Sequence, residues 1–269
     1  MPYNHPVDYK ILAEGVFPYG KLIVDYQPDR VFSLPERFRR QADEIWQTKL
    51  AEAQRKQFLL YDGNIFSLLM LHIVASANTL YLSLGRAGYR DYVVTRGHHF
   101  KNNDSTLIIA DPLAICCAVI TSDNRILIGR RRGVDGSLNK YHIVGGFMDR
   151  DLDIFDGLPC PFHAIQREVR EETGIELDLD RIVCLGAIYD NVMPHPELCF
   201  YAATDLSYVE TKRLAITERE VELWEFIENR RDSIVSFLND HEREVTSVAT
   251  ADLTLYIKHK FADYFPGKL

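Results

Sequence analysis

The chain has few cysteines, and none of them stands at a spacing that marks a metal or redox motif. The five cysteines are an odd number among 269 residues, and no pair forms a C-x-x-C arrangement. This excludes the common zinc-finger spacings and gives no sign of a disulfide framework. Four cysteines lie in apolar, strand-like segments: Cys116, Cys117, Cys184 and Cys199. We interpret them as small core residues that stay reduced, as in proteins of a reducing compartment.

The chain also lacks an excess of basic residues. Its formal net charge is −8 and its isoelectric point is near 5.6, whereas proteins that bind nucleic acid backbones usually carry a basic footprint. We therefore expect no nucleic acid partner. A small nucleotide could still bind through local arginines.

Long apolar runs are missing as well. The longest, at residues 66–75, is too short and too interrupted to span a membrane. The first residues, MPYNHP, lack the basic and then apolar pattern of a signal peptide. We therefore expect a cytoplasmic protein with no membrane partner.

What is present is the composition of an ordinary globular protein. Hydrophobic residues make up 46% and charged residues 26% of the chain, which are usual values for a soluble fold. A chain of 269 residues forms one large domain or two modest ones. A polar segment at 98–105 indicates a linker, so we predict an N-terminal domain over residues 1–104 and a second domain over residues 105–269.

Three glutamates are crowded onto one predicted helix. Glu168, Glu171 and Glu172 are related as i, i+3 and i+4, so their side chains share one face. An adjoining face can pack inward, and it carries Phe162, Ile165, Val169 and Thr173. Carboxylates at this spacing repel each other slightly, and a hard divalent cation between them reverses the effect. Mg²⁺ is the first candidate, and a solvated helix surface is the alternative.

The segments around this helix follow a definite order. Strand patterns at 113–120, 125–130 and 140–144 precede Gly145 and Gly146, where glycine permits a positive φ. Gly174 then ends the helix as a predicted left-handed cap. This order resembles the Nudix hydrolase family, and residues 167–175 (REVREETGI) match the second half of its box, R-E-U-x-E-E-x-G-U with U aliphatic, at every defined position. The resemblance implies an α/β (α+β) fold, a Nudix α/β/α sandwich with a mixed sheet, plus a smaller N-terminal α+β domain.

The resemblance also implies the roles of the site residues. Metal ligands for Mg²⁺ or Mn²⁺ would be the carbonyl of Gly146 and the carboxylates of Glu168, Glu171 and Glu172. Arg167, four residues before Glu171, would hold that carboxylate by a charge-assisted pair. The general base is Glu171, Glu172 or a downstream carboxylate, and strand alternation favours Glu220 among Glu218, Glu220 and Glu222.

The first half of the box departs from the family pattern. The loop between Gly146 and Arg167 carries about seven extra residues, and Pro159 stands where the first glutamate is expected. Acidic residues that could replace it are available in the loop, and the sequence leaves the choice among them open: Asp149, Asp151, Asp153 and Asp156.

The N-terminal half indicates which branch of the family the chain resembles. A strand at 21–26, a polar helix at 35–56 with an apolar stripe at Ile45 and Trp46, and the segments 59–66 and 89–97 resemble the N-terminal domain of Nudix enzymes that hydrolyse nucleotide sugars. The products implied are a nucleoside monophosphate and a sugar 1-phosphate. The alternatives are hydrolysis of ADP-ribose or a dinucleotide, and an inactive Nudix-like binding or regulatory domain.

Substrate contacts are predicted at two places. Arg130 and Arg131 belong to the one compact basic run and follow a strand, and Tyr89 and Arg90 lie where a domain junction commonly forms a cleft. The expected partner is a small-molecule nucleotide. The oligomeric state stays open, with a homodimer among the options.

Overall fold

The structure is a computed structural model that describes residues 8–132, 139–214 and 221–261. These residues form thirteen strands and six α-helices. The strands are β1 (Tyr9–Pro18), β2 (Leu22–Val31), β3 (Asn64–Val74), β4 (Thr79–Gly88), β5 (Ala114–Ile120), β6 (Arg125–Arg131), β7 (Tyr141–His142), β8 (Val144–Phe147), β9 (Ile154–Phe155), β10 (Leu158–Pro159), β11 (Ile182–Asp190), β12 (His195–Ala203) and β13 (Val221–Glu228). The helices are α1 (Arg39–Lys56), α2 (Tyr89–Thr95), α3 (Pro161–Thr173), α4 (Tyr208–Leu214), α5 (Arg231–Asp240) and α6 (Ser247–Lys260).

A large mixed sheet forms the centre of the fold. Its strands follow the order β1-β11-β12-β5-β6-β13, with β7 paired to β6 and β8 paired to β5. Strand β12 runs parallel to β5, and the other pairs are antiparallel. Every residue of β5 is buried, as expected for a strand covered on both faces.

Helices cover both faces of this sheet. Cys117 and Val119 of β5 belong to the core that α3 closes, whereas Cys116 and Ala118 belong to the core beneath α5 and α6. Successive strand residues point to opposite faces, so one strand contributes to both cores. The predicted α/β/α sandwich with a mixed sheet is therefore confirmed.

The N-terminal region forms a second, β-rich unit. Strands β2, β4 and β3 make a three-stranded sheet, and Trp46 of α1 and Tyr92 of α2 pack in a third core cluster. Ile45 and Leu50 pack against the same cluster, together with Phe147 of β8. The apolar stripe of the predicted helix is thus buried where the two units meet. The helix itself starts later than predicted, since a 3₁₀ turn occupies Glu36–Phe38.

Strand β1 crosses the predicted domain division. It pairs antiparallel with β11 of the large sheet, from Tyr9 opposite Asp190 to Pro18 opposite Val183. The boundary near residue 104 stays a prediction, but the first strand contributes to the edge of the central sheet. No helix among the described residues is long and apolar enough to cross a membrane.

The role of β1 leads to a prediction about the isolated second half. Residues 105–269 expressed alone lack β1, which leaves the backbone groups of β11 unpaired at an edge. We expect this fragment to be less soluble than the full chain, as measured by size-exclusion chromatography with light scattering at equal concentration. A chain that starts at residue 8 keeps β1 and serves as the control. A monodisperse, folded fragment would contradict the prediction.

Candidate active site

Helix α3 presents its carboxylates on one face because the other face is core. Phe162, Ile165, Val169 and Thr173 are all buried, as the helical spacing predicts. Pro161 occupies the first turn, where its missing N–H is no loss. Gly174 ends the helix with a φ of 73° and donates its N–H to the Arg170 carbonyl. The predicted helix, its buried face and its cap are confirmed.

Arg167 is the centre of an ionic network on this helix. Its Nε lies 2.7 Å from Asp153 Oδ1 and its Nη2 lies 2.9 Å from Asp153 Oδ2, which makes the pair bidentate. Nη2 also donates to Glu168 Oε1 at 3.0 Å, and Nη1 donates to Glu171 Oε2 at 2.9 Å. One guanidinium therefore fixes three carboxylates. The expected pairing of Arg167 with Glu171 is present within this larger network.

Asp153 is the acidic loop residue that reaches the site. Its side chain is only 1% exposed, and it also accepts a hydrogen bond from the Asp149 backbone N–H at 2.7 Å. A carboxylate this deeply buried is stable as an ion only when it is paired and hydrogen-bonded. Among the four acidic candidates of the loop, Asp153 is therefore the one whose carboxylate pairs with Arg167.

A small hairpin accounts for six of the roughly seven extra residues in the loop. Strands β9 and β10 pair antiparallel across a turn in which Asp156 and Gly157 have φ values of 50° and 80°, the positive values of a type I′ turn. With the six hairpin residues 154–159 set aside, Asp153 stands eight positions before Arg167. That is the spacing of the first glutamate in the Nudix pattern. The signal for this insertion is present in the sequence, since an Asp-Gly pair flanked by apolar residues is a strong hairpin indicator.

The two glycines before this loop are required for close packing. Gly145 and Gly146 lie in β8, and neither belongs to the residues with positive φ, so the predicted reason for them is wrong. A Cβ on Gly145 would stand 2.4 Å from the Ile115 carbonyl oxygen, and one on Gly146 would stand 2.7 Å from Glu168 Oε1. Glu172 Oε1 in turn accepts a hydrogen bond from the Gly145 N–H at 3.3 Å. Only glycine lets β8 lie this close to the backbone of β5 at residue 145 and to Glu168 of α3 at residue 146.

The positive charge of Arg167 does not fully offset the burial of the Glu168 carboxylate. Its side chain is 14% exposed, and burial raises the pKa of Glu168 to about 7 although the Arg167 charge acts in the opposite direction. The candidate metal ligands beside Gly146 are all oxygen atoms, the ligand type that Mg²⁺ and Mn²⁺ take. The residues therefore fit a hard divalent cation.

The three glutamates do not yet converge on one point. Among the described residues, only a different group brings three ligand atoms within 4.8 Å of one another. Glu168 and Glu171 instead lie on either side of Arg167, and Glu172 faces Gly145. Glu171 is 49% exposed, so its side chain can turn toward a bound ion without disturbing the core.

A known protein family matches the segment that carries this site. A protein-family model of the NUDIX domain matches residues 111–231, the segment that carries β8, the hairpin and α3. Residues 111–231 are a Nudix domain. Nudix enzymes generally use divalent metal ions, and the domain supports the predicted enzyme class, a pyrophosphohydrolase. No curated protein matches the chain significantly.

Solved structures resemble the chain only distantly. A MutT/nudix family protein from Enterococcus faecalis shares 16% identity, with 43% of either chain covered and a TM-score of 0.34. The NUDIX domain of Shewanella oneidensis NrtR, complexed with ADP ribose, shares 14% identity over 59% of this chain and 93% of its own, with a TM-score of 0.43. A bifunctional NMN adenylyltransferase/ADP ribose pyrophosphatase from Francisella tularensis, with AMP and a Mn ion, shares 16% identity over 60% of this chain and 43% of its own, with a TM-score of 0.38. The matched region thus spans less than half of the Enterococcus and Francisella proteins.

The predicted arginine contacts lie outside the carboxylate network of the Nudix domain. Arg130 and Arg131 end β6, and the guanidinium of Arg130 lies 5.5 Å from the centre of the Tyr141 ring. Arg90 forms an ion pair with Asp43 of α1. Substrate binding by these arginines stays a prediction.

Tyr89 contacts the Nudix domain through Phe147. Its ring centre is 5.7 Å from that of Phe147, the residue directly after Gly146, and 6.0 Å from that of Tyr92. The N-terminal unit therefore places an aromatic side chain against Phe147, the residue that follows the glycine pair. Of the downstream carboxylates, Glu222 is exposed on β13, whereas Glu218 and the favoured Glu220 lie outside the described residues.

A buried polar pair at the same junction was missed by the sequence reasoning. His195 Nε2 lies 3.0 Å from Glu197 Oε2, and the His195 ring packs against Phe147 and Tyr92 at 5.3 and 5.9 Å. Burial opposes a charged imidazole, but the hydrogen bond and charge of Glu197 outweigh it and raise the pKa of His195. A histidine two residues before a glutamate in an alternating strand is the only sequence signal for this pair.

Proposed function

We propose that this protein hydrolyses the diphosphate bond of a nucleotide sugar, giving a nucleoside monophosphate and a sugar 1-phosphate, with Mg²⁺ or Mn²⁺ as cofactor. The observation that supports the hydrolase chemistry is the network in which Arg167 joins Asp153, Glu168 and Glu171 beside Gly146. The choice of a nucleotide sugar rests on the resemblance of the N-terminal half. Pro159 in place of the first glutamate suggested that the Nudix pattern lacks one of its carboxylates. Since Asp153 restores the lost carboxylate, the network favours an enzyme over an inactive binding domain.

The proposed roles follow from the positions of the side chains. Glu168, Glu171 and Glu172, with the carbonyl of Gly146, would hold the divalent ions. When bound, such ions neutralise phosphate charge and lower the pKa of a bound water. Arg167 holds Glu168 and Glu171 through the hydrogen bonds described above, and the exposed Glu171 side chain would turn toward the ion when it binds.

The reaction consumes one water molecule. Its oxygen forms a bond to one phosphorus of the bridge, the bridging oxygen leaves with the other phosphorus, and a carboxylate accepts the proton. Glu171 is the most exposed of the α3 carboxylates in the Arg167 network, which suits a group that exchanges protons with water. Glu172 and Glu220 are the other proposed bases.

A substrate panel tests the proposal. Nucleotide sugars, ADP-ribose and dinucleotides are incubated with the full chain and Mg²⁺, and a phosphatase added afterwards releases phosphate from any monoester product. We expect the largest release from a nucleotide sugar. A preference for ADP-ribose or a dinucleotide would keep the Nudix chemistry and replace the substrate, and no release from any compound would favour the inactive alternative.

The nucleotide end of the substrate is assigned to the junction of the two units. We expect the double variant Tyr89→Ala, Arg90→Ala to raise KM by about tenfold, because loss of a stacked base costs roughly 1–3 kcal/mol, and to change kcat less. This is the pattern of lost uniform binding. Steady-state kinetics on the preferred substrate measure it.

A matched control removes only the hydroxyl group of Tyr89. Tyr89→Phe keeps the aromatic face toward Phe147 and should leave KM close to that of the wild type. Unchanged kinetics in the double variant would contradict the assignment and return attention to Arg130 and Arg131.

A further inference from the structure

A second cluster of potential ligands lies in the core beneath α6. Cys116 of β5, Cys199 of β12 and Asp252 of α6 bring one sulfur or carboxylate oxygen each to within 4.8 Å of one another. All three side chains are fully buried. Cys116 and Cys199 stand opposite each other in the register of the parallel strand pair, and α6 places Asp252 over them.

Asp252 has no adequate partner in this core. Neither of its carboxylate oxygens receives a hydrogen bond of acceptable geometry. The Ala118 amide and the Cys199 thiol lie near this carboxylate, whereas Glu197 adds a like charge. A buried, unpaired carboxylate destabilises a fold, so its place opposite two thiols calls for an explanation.

We propose that Cys116, Cys199 and Asp252 bind one Zn²⁺ ion. Thiolate sulfur selects zinc over Mg²⁺, and a carboxylate is an accepted third ligand. Zn–S bonds of about 2.3 Å place neighbouring ligand atoms of a tetrahedral site about 3.5–3.8 Å apart, so the cluster has to contract only slightly. The carbonyl of Leu198, 3.7 Å from Cys116 Sγ, offers an oxygen for the fourth position.

This zinc site is separate from the catalytic carboxylates. Cys116 lies on the face of β5 that α6 covers, whereas its neighbour Cys117 belongs to the core on the α3 side. Binding would release the two thiol protons and any carboxyl proton to solvent. The three ligands come from three separate elements, which explains why cysteine spacing gives no sign of the site.

Metal analysis of the full chain tests this inference. The protein is purified without chelators and dialysed against excess Mg²⁺, which fills sites with oxygen ligands. Its zinc content is then measured by inductively coupled plasma mass spectrometry. We expect about one zinc per chain. Co²⁺ exchanged into the chain should give thiolate-to-cobalt charge-transfer absorption, which the glutamates of α3 cannot produce.

Variants identify the ligands. Cys199→Ala and Asp252→Asn should each lower bound zinc at least tenfold, whereas Cys117→Ala, equally buried on the opposite face, should retain it. Asp252→Asn also distinguishes a metal site from an empty core, because it lowers the Tm if zinc is lost and raises it if only an unpaired carboxyl group is removed. Zinc-free protein that takes up no Co²⁺, or a disulfide between Cys116 and Cys199 detected by mass, would overturn the proposal.

Discussion

Glu172→Gln is expected to lower kcat by about 100-fold or more, because it removes one charged ligand from a preorganised site that stabilises the transition state. Glu171→Gln should have an effect of similar size. Folding should survive both changes, since glutamine keeps the shape of the side chain. At position 172 its oxygen can still accept from the Gly145 N–H, and at position 171 it can still accept from Arg167 Nη1. Turnover at saturating Mg²⁺ and thermal unfolding measure the two effects separately.

Glu176→Gln is the matched control for these variants. Glu176 is exposed and lies just beyond Gly174, outside the carboxylate network, so its turnover should equal that of the wild type. If Glu171→Gln and Glu172→Gln also turn over normally with saturating Mg²⁺, the assignment of α3 as the catalytic helix is wrong.

Asp153→Asn is expected to harm both stability and catalysis. The change leaves Arg167, 13% exposed, without its bidentate partner, and breaking a buried ion pair costs roughly 3–5 kcal/mol. Arg167 would then be free to draw Glu168 and Glu171 out of position, so kcat should fall as well. Urea unfolding gives the loss of stability, and initial rates give the loss of turnover.

The other acidic residues of the loop supply the controls. Asp156→Asn is well suited, because asparagine tolerates the positive φ of this turn, and Asp151→Asn alters only an exposed contact with Asn64. Both should keep kcat within about threefold of the wild type, as expected when only a screened surface charge is lost. Equal behaviour of Asp153→Asn and these two variants would show that the buried pair contributes nothing to the site.

Local patterns in the sequence were sufficient to predict the catalytic helix. The spacing of Phe162, Ile165 and Val169 defines its buried face, and Gly174 fixes its end, because both signals depend only on neighbours within a few turns. The apolar run of β5 was equally clear, since a strand covered on both faces needs no alternation.

Contacts between segments that are far apart in the chain could not be predicted from local sequence patterns. Asp153 was one of four acidic candidates, and its selection depends on the β9–β10 hairpin, which removes six residues from the path to Arg167. The pairing of β1 with β11 joins residues far apart in the chain, and periodicity carries no information about strand partners. The reason for Gly145 and Gly146 was likewise tertiary, because a side chain on Gly145 would clash with β5 and one on Gly146 would clash with Glu168 of α3.

Phosphorus NMR of a nucleotide sugar such as UDP-glucose, with Mg²⁺ and the full chain, tests the central claim most directly. We expect the two diphosphate resonances to be replaced by two phosphomonoester resonances of equal intensity, and we expect Glu172→Gln protein to leave the diphosphate resonances in place over the same period. Diphosphate resonances that stay unchanged with wild-type protein, for nucleotide sugars as well as for ADP-ribose and dinucleotides, would contradict it.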